Sequence, residues 1–337
     1  MRWDAGPDIV VAMTIEVREL TKQYGDKTAV DDLSFTVRPG AVTGFLGPNG
    51  AGKSTTMRTI IGLDRPTGGT AVVNGRSYAD HRAPLHEVGA LLEARALHPG
   101  RSARDHLLAL AATAGIGASR VDAVLELAGL SSVARKRVGG FSLGMGQRLG
   151  IATALLGDPA TVILDEPVNG LDPEGVLWVR TLTRDLAAEG RTVFLSSHLM
   201  NEMAITADHL VIVGRGRLIA DAPVADLLRQ ASGNRVHIRT PQADGLRDLL
   251  LADGVAITSQ ERGVLEVTGV TSDVIGDRAA AAGITLHELT AVEASLEDAF
   301  MNLTHDSVEY RSDVPPGAVG TATARTHPYT ETERLAA

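Results

Sequence analysis

VTGFLGPNGAGKSTTMRTIIGL, residues 42–63, runs from an apolar, β-prone segment through a glycine-rich turn into a helix-prone one. Its centre, GPNGAGKST at 47–55, fits the phosphate-loop pattern G-x-x-x-x-G-K-S/T in the strand-then-helix context that the pattern requires. Gly47, Gly50 and Gly52, with Pro48, Asn49 and Ala51 between them, allow a turn whose backbone N–H groups point inward at phosphate oxygens. The helix start adds its partial positive charge. In this loop Lys53 is expected to reach the β- and γ-phosphates, Ser54 to hold Mg²⁺ and Thr55 to support the α-phosphate. A plain glycine-rich turn is the rival reading, and the flanking strand and helix argue against it.

A second stretch completes the chemistry. TVILDEP, residues 161–167, places four apolar residues ahead of Asp165 and Glu166. This is a buried strand that ends at the edge where open α/β sheets bind ligands. Asp165 suits Mg²⁺, directly or through water, and Glu166 suits polarising an attacking water. An acidic pair at a strand end is commonplace alone; beside a phosphate loop it gains meaning.

Composition narrows the class. The net charge of −9 argues against a general nucleic-acid binder. The chain has no cysteine, which excludes disulfides and thiolate metal sites. Only four of its 32 basic residues are lysines, so Lys53 stands out. No uninterrupted apolar run reaches the roughly 18 residues needed to span a bilayer. The opening MRWDAGPDIVVAM lacks a basic segment followed by a long apolar core, so no signal peptide is expected and the chain should remain in the cytoplasm.

The first strand, TIEVREL, begins only after Met13, so residues 1–12 read as an extension and translation could start at Met1 or Met13. From 13 to 220 short β-branched runs alternate with longer helical patterns, the mark of an α/β domain with parallel strands. A mostly helical insert at about 95–156 breaks that alternation. After a link at 221–234, residues 235–304 give strand, helix, strand, strand, helix, strand and a last helix, which fits a ferredoxin-like split βαβ unit. Residues 305–337 carry no apolar periodicity and read as a disordered tail.

Taken in order, the phosphate loop, FSLGMGQR at 141–148, ILDEPVNGLDP at 163–173 and FLSSH at 194–198 strongly resemble the ATP-binding cassette (ABC) ATPases, over about residues 14–220. FSLGM stands where that family writes L-S-G-G-Q: Ser142 and Gly144 are retained, Leu143 replaces a glycine and Met145 the glutamine. In GALLEARALHP, 89–99, Glu93 takes the place of the usual Q-loop glutamine. These departures, with SLEDAFMNLT near the end, are similar to the bacterial daunorubicin- and bacitracin-resistance type of exporter ATPase.

The resemblance implies an α/β P-loop ABC ATPase domain with a helical subdomain, followed by a small α+β ferredoxin-like domain. It implies ATP and Mg²⁺ as ligands. Tyr24 would stack on adenine, Glu93 would sense the nucleotide, and Asp172 would be the D-loop carboxylate at a dimer interface, although it also reads as a helix N-cap. His198 would contact the γ-phosphate beside Lys53 and Glu166. The other histidines considered, His81, His86, His98, His106 and His209, receive no role.

Ser142 and Gly144 would serve the nucleotide of a second chain, in a homodimer or a paralogous heterodimer. The dimer would drive a separate membrane permease from the cytoplasmic face of the membrane, exporting a drug or antibiotic. The alternative is a non-transport cassette ATPase acting in translation or DNA handling. Such proteins typically carry two cassettes or long coiled-coil inserts, and this chain has one phosphate loop and no sustained heptads.

Overall fold

The structure, a computed structural model, describes residues 14–93, 97–232, 234–252, 254–259, 261–292 and 295–304. The expected extension, the choice of start at Met1 or Met13 and the expected tail lie outside them.

In chain order the first elements are β1 (Ile15–Tyr24), β2 (Lys27–Val37), β3 (Val42–Leu46), α1 (Lys53–Ile60), β4 (Gly68–Val73), α2 (Pro84–Glu87) and β5 (Val88–Leu91). Three helices follow, α3 (Ala103–Thr113), α4 (Ala118–Leu127) and α5 (Leu143–Ala154). The α/β alternation then resumes with β6 (Thr161–Leu164), α6 (Pro173–Ala188), β7 (Thr192–Ser197), α7 (Met200–Thr206), β8 (His209–Gly214), β9 (Arg217–Pro223) and α8 (Val224–Ser232).

A six-stranded sheet, ordered β5-β6-β7-β3-β8-β9, forms the centre; its first five strands are parallel and β9 returns antiparallel. Its apolar runs are buried on both faces, and side-chain alternation divides them between two cores. Phe45, Ile163, Phe194 and Val211 point to one face, where β2, β1 and β4 form an antiparallel sheet and α1 packs. Phe35, Phe45 and Phe194 meet there at ring-centroid distances of 5.1 to 5.6 Å. Val162, Leu164, Val193, Leu195, Leu210 and Ile212 point to the other face, against the helices. The same core continues through α5 into α3 and α4, so the helical insert is anchored by Leu107, Leu125 and Leu149.

The remaining elements are β10 (Val236–Arg239), α9 (Ala243–Leu250), β11 (Ala256–Thr258), β12 (Val264–Thr268), α10 (Ser272–Ala281), β13 (Glu288–Ala291) and α11 (Leu296–Thr304). The four strands are antiparallel in the order β11-β12-β10-β13, the ferredoxin-like arrangement, around a core that includes Ile238, Leu246, Leu265 and Ile275.

Two boundaries differ from the sequence expectation. Residues 221–234 were expected as a link, yet they carry the end of β9 and α8, whose Val224 and Leu227 are buried in the central core. Val224, Leu227, Leu228 and Ala231 recur at helical spacing, which gives α8 one apolar face. The final helix, expected to belong with residues 235–304, leaves that unit's core. In α11, Leu296, Ala299 and Phe300 enter the central core instead, and Asn201 Nδ2 of the α7 segment donates to Glu297 Oε1 at 3.1 Å.

Because Phe300 is 5% exposed in the central core, Phe300→Ala should destabilise the layers around the six-stranded sheet by about 3–5 kcal/mol. Urea unfolding followed by far-UV circular dichroism tests this; an unchanged midpoint would show that α11 contributes nothing to the central core.

Candidate functional site

The carboxyl ends of β6, β7 and β3, three neighbouring strands, converge on one edge of the central sheet. From β3 the chain enters the loop 47–52 and then α1. Gly52, with φ +98°, caps this helix, and a Cβ there would lie 2.5 Å from the Ala29 carbonyl oxygen; at Gly47 it would lie 2.4 Å from that of Val213. Neither position accepts a side chain without moving backbone. The loop therefore has to be glycine at both points.

Lys53, 7% exposed, donates from Nζ to the carbonyl oxygens of Gly47 at 2.7 Å and Pro48 at 3.3 Å. Burial pushes its ammonium below the ordinary lysine value, and the carboxylates of Glu166 and Asp165 oppose that shift. Lys53 therefore shares its electrostatic environment with both acids. Asn49, Gly50, Ala51, Gly52, Lys53, Ser54 and Thr55 line a cavity of about 400 Å³ together with Tyr24, Lys27, Ala29 and Glu166.

Tyr24 is half-exposed at the mouth of this cavity. Its hydroxyl donates to Asp64 Oδ2 at 2.7 Å, and Lys22 Nζ stands 4.8 Å from its ring centroid. Asp64 also accepts from Arg58 Nε at 2.7 Å, and that bond holds the Asp64 carboxyl below its usual range. The ring is thus pinned at its edge with a cation against it.

Asp165 and Glu166 end β6 under different constraints. Asp165 is buried; its N–H donates to the Leu91 carbonyl at 2.7 Å, and its Oδ1 accepts a short bond from the Ser196 hydroxyl. Glu166 departs from the strand with φ +50°. Its N–H donates to Ser196 Oγ at 3.0 Å, and its Oε2 lies 2.8 Å from Nδ1 of His198. Glu166 and His198, expected at the site in separate roles, are in contact.

The remaining expected residues lie elsewhere. Ser142 caps α5, its Oγ accepting from Met145 N at 3.2 Å, and with Leu143 and Gly146 it lines a separate cavity of about 290 Å³. Gly144 lies in the first turn of α5. Asp172 caps α6, its Oδ1 accepting from Gly175 N at 2.8 Å, so the N-cap reading is met. Glu93 is exposed just beyond β5, in electrostatic reach of Arg58 and outside the lining of the loop cavity.

Among the described residues no group of three or more His, Cys, Asp or Glu side chains is placed to hold a metal. Two oxygen donors belong to this region: the Ser54 hydroxyl, next to Lys53 in the loop cavity, and the Asp165 carboxylate, which acts on Lys53 electrostatically. This is the hard, sparse donor set that suits Mg²⁺ shared with phosphate oxygens and water.

Three residues the sequence reading passed over take part: Ser196, Gln147 and Asp64. Ser196 sits in the quoted FLSSH, but only its histidine drew attention. Gln147 is a polar residue on the buried stripe of an apolar helix, one turn before Ile151, and a buried amide needs a partner. Asp64 gave no signal.

The family model described as ABC transporter matches residues 30–169, and a model described as a domain of unknown function (DUF8746) matches 234–297. The bacitracin transport ATP-binding protein BcrA of Bacillus licheniformis is 37% identical over 302 residues, covering 86% of this chain and 96% of the relative. This chain belongs to the ABC transporter ATP-binding proteins. It is an ATP-binding, ATP-hydrolysing transporter subunit.

The Nod factor export ATP-binding protein I of Burkholderia lata is 36% identical, with 86% of this ABC subunit and 96% of the relative covered. A solved ATP-binding subunit of an ABC transporter superposes with a TM-score of 0.59 at 30% identity, covering 64% of this chain and 92% of the other. These relatives favour transport over the alternative in translation or DNA handling. Among the described residues of this ABC subunit, no helix is long and apolar enough to cross a membrane.

Ser196 is fully buried between the two acids. Ser196→Ala leaves Asp165 Oδ1 and the Glu166 N–H without their shared partner. It should lower stability by about 1–3 kcal/mol, read as a reduced denaturation midpoint in urea; an unchanged midpoint would show the pair of bonds to be dispensable.

Proposed function

We propose that the subunit works as a head-to-tail dimer that closes on two Mg²⁺-ATP molecules, and that closing and reopening drive a separate membrane permease from the cytoplasmic face. The observation that carries this reading is the separation of two cavities. The phosphate loop and Glu166 line one, and Ser142 with the start of α5 lines the other. A single chain therefore offers a nucleotide half of its polar shell, and a second chain can bring the other half.

In this reading Tyr24 stacks on the adenine, and the loop 47–52 with Thr55 wraps the phosphates. Lys53 bears on the β- and γ-phosphates, where its positive charge offsets charge on the transferred phosphoryl group. Ser54 and Asp165 would hold Mg²⁺, which supplies further charge neutralisation when bound. Glu166 accepts a hydrogen bond from the attacking water and orients it in line. His198, in contact with Glu166, holds that carboxylate and faces the γ-phosphate. Glu93 reports the nucleotide to the helical insert, and Asp172 meets the partner chain.

From the partner, the Ser142 hydroxyl can donate to a γ-phosphate oxygen while still accepting from Met145. The N–H groups opening α5, including that of Gly144, add an anion-binding end. The exporting relatives support transport outward. Bacitracin and Nod factor, named for relatives of near-equal identity, differ as cargoes, in keeping with a cargo chosen by the permease. A drug or antibiotic is the cargo proposed here.

Lys53→Ala should abolish ATP binding, whereas Glu166→Gln should retain ATP and lose turnover; bound nucleotide and phosphate release separate the two. Ser142→Arg should bind ATP as a monomer and fail to dimerise or hydrolyse it. Mixing Lys53→Ala with Ser142→Arg chains places both lesions in one composite site and leaves the other intact. Confirmed heterodimers should therefore recover ATPase activity that neither variant shows alone. Absence of recovery would overturn the assignment of independent composite sites.

A further inference from the structure

Glu166 occupies the left-handed region, φ +50°, which disfavours a residue with a Cβ. Such a conformation persists where its surroundings over-determine it. Its N–H is held by Ser196 and its carboxylate by His198, both from the end of β7. Its carbonyl is held differently. It accepts from Asn169 N at 3.2 Å across the following turn and from Gln147 Nε2 at 2.9 Å.

Gln147 is 3% exposed and lies on α5, the helix that Ser142 opens. Four residues earlier, on the same face, Leu143 covers the other end of the loop: a Cβ on Gly170 would fall 2.1 Å from Leu143 Cδ2. Gly170, at φ +75°, leaves room for that side chain. The leucine that replaces a glycine in the signature therefore turns onto its own chain's loop. Beyond Gln147, Arg148 stacks at 4.6 Å on the Trp178 ring of α6 and donates to the Ala128 carbonyl at 3.2 Å. These contacts fix α5 from two sides.

We propose that Gln147 is the positioning residue for Glu166: its amide fixes the carbonyl, hence the peptide plane, of a left-handed residue, and so sets where the carboxylate stands. Leu143 steadies the far end of the same loop. Gln147 lies outside the lining of the loop cavity, so it acts through Glu166 and not on nucleotide. The proposal rests on the reading that Glu166 orients the attacking water.

Gln147→Met keeps the volume and removes the donor. In the full-length chain, ATP affinity, KM and ATP-driven dimerisation should stay within about two-fold of wild type while kcat falls at least about ten-fold. In a Glu166→Gln background the same change should lower the residual kcat by less than about two-fold, because the carboxylate it positions is already gone. Should Gln147→Met fail to fold, Gln147→Leu, which also removes the donor, carries the same measurements.

An equal loss in both backgrounds would mark a general structural role and overturn the proposal. So would wild-type kcat for Gln147→Met while Glu166→Gln is inactive, an outcome that leaves the role of Glu166 standing. Wild-type kcat for Glu166→Gln would instead remove that role and the proposal with it.

Discussion

A buried lysine ammonium facing two carboxylates is the constraint around which this molecule is arranged. Lys53 loses hydration in its cradle, which lowers its pKa from the ordinary lysine value, and the carboxylates of Glu166 and Asp165 oppose that shift. That balance requires the ends of β3 and β6 to stand at one edge of one sheet. The parallel order β6-β7-β3 provides it and puts β7 between them. The end of β7 then becomes the bridge, with Ser196 serving both acids and His198 meeting Glu166.

The sheet can take this role because both of its faces are covered. Alternate residues of β3, β6, β7 and β8 feed a phenylalanine-centred core on one side and a helical core on the other. Burial on two faces makes strand register costly to change, since a one-residue slip exchanges the two cores. The site inherits that rigidity. The helical core also reaches α3 to α5 and receives α8 and α11, so the chain's last described helix and its signature helix share a single apolar cluster.

The phosphate loop, the acidic strand end and the α/β alternation were legible because each is local. A glycine pattern, an apolar run and a turn residue act within a few positions of one another. The four-stranded unit after residue 235 was legible for the same reason, its element order being written in short periodic segments. Residues 221–234 differ from the link expected of them because a four-residue apolar stripe gives α8 one face that packs on the central core. The placement of α11 failed because its amphipathic face is compatible with any apolar surface. Which surface it meets is a fact of tertiary packing.

The sequence by itself determined the identity of the chemistry: a phosphate loop, a lysine, an acidic pair and a histidine in a fixed order, on an α/β frame. Only the tertiary structure decided how these groups are held. It placed Ser196 between the acids, turned Glu166 into the left-handed region and brought Gln147 from a helix nineteen residues upstream to its carbonyl. Motifs record residues that must lie close along the chain. Hydrogen bonds between a strand end and a distant helix depend on distances that no periodicity encodes, and so become visible only when the sheet and the helices have packed.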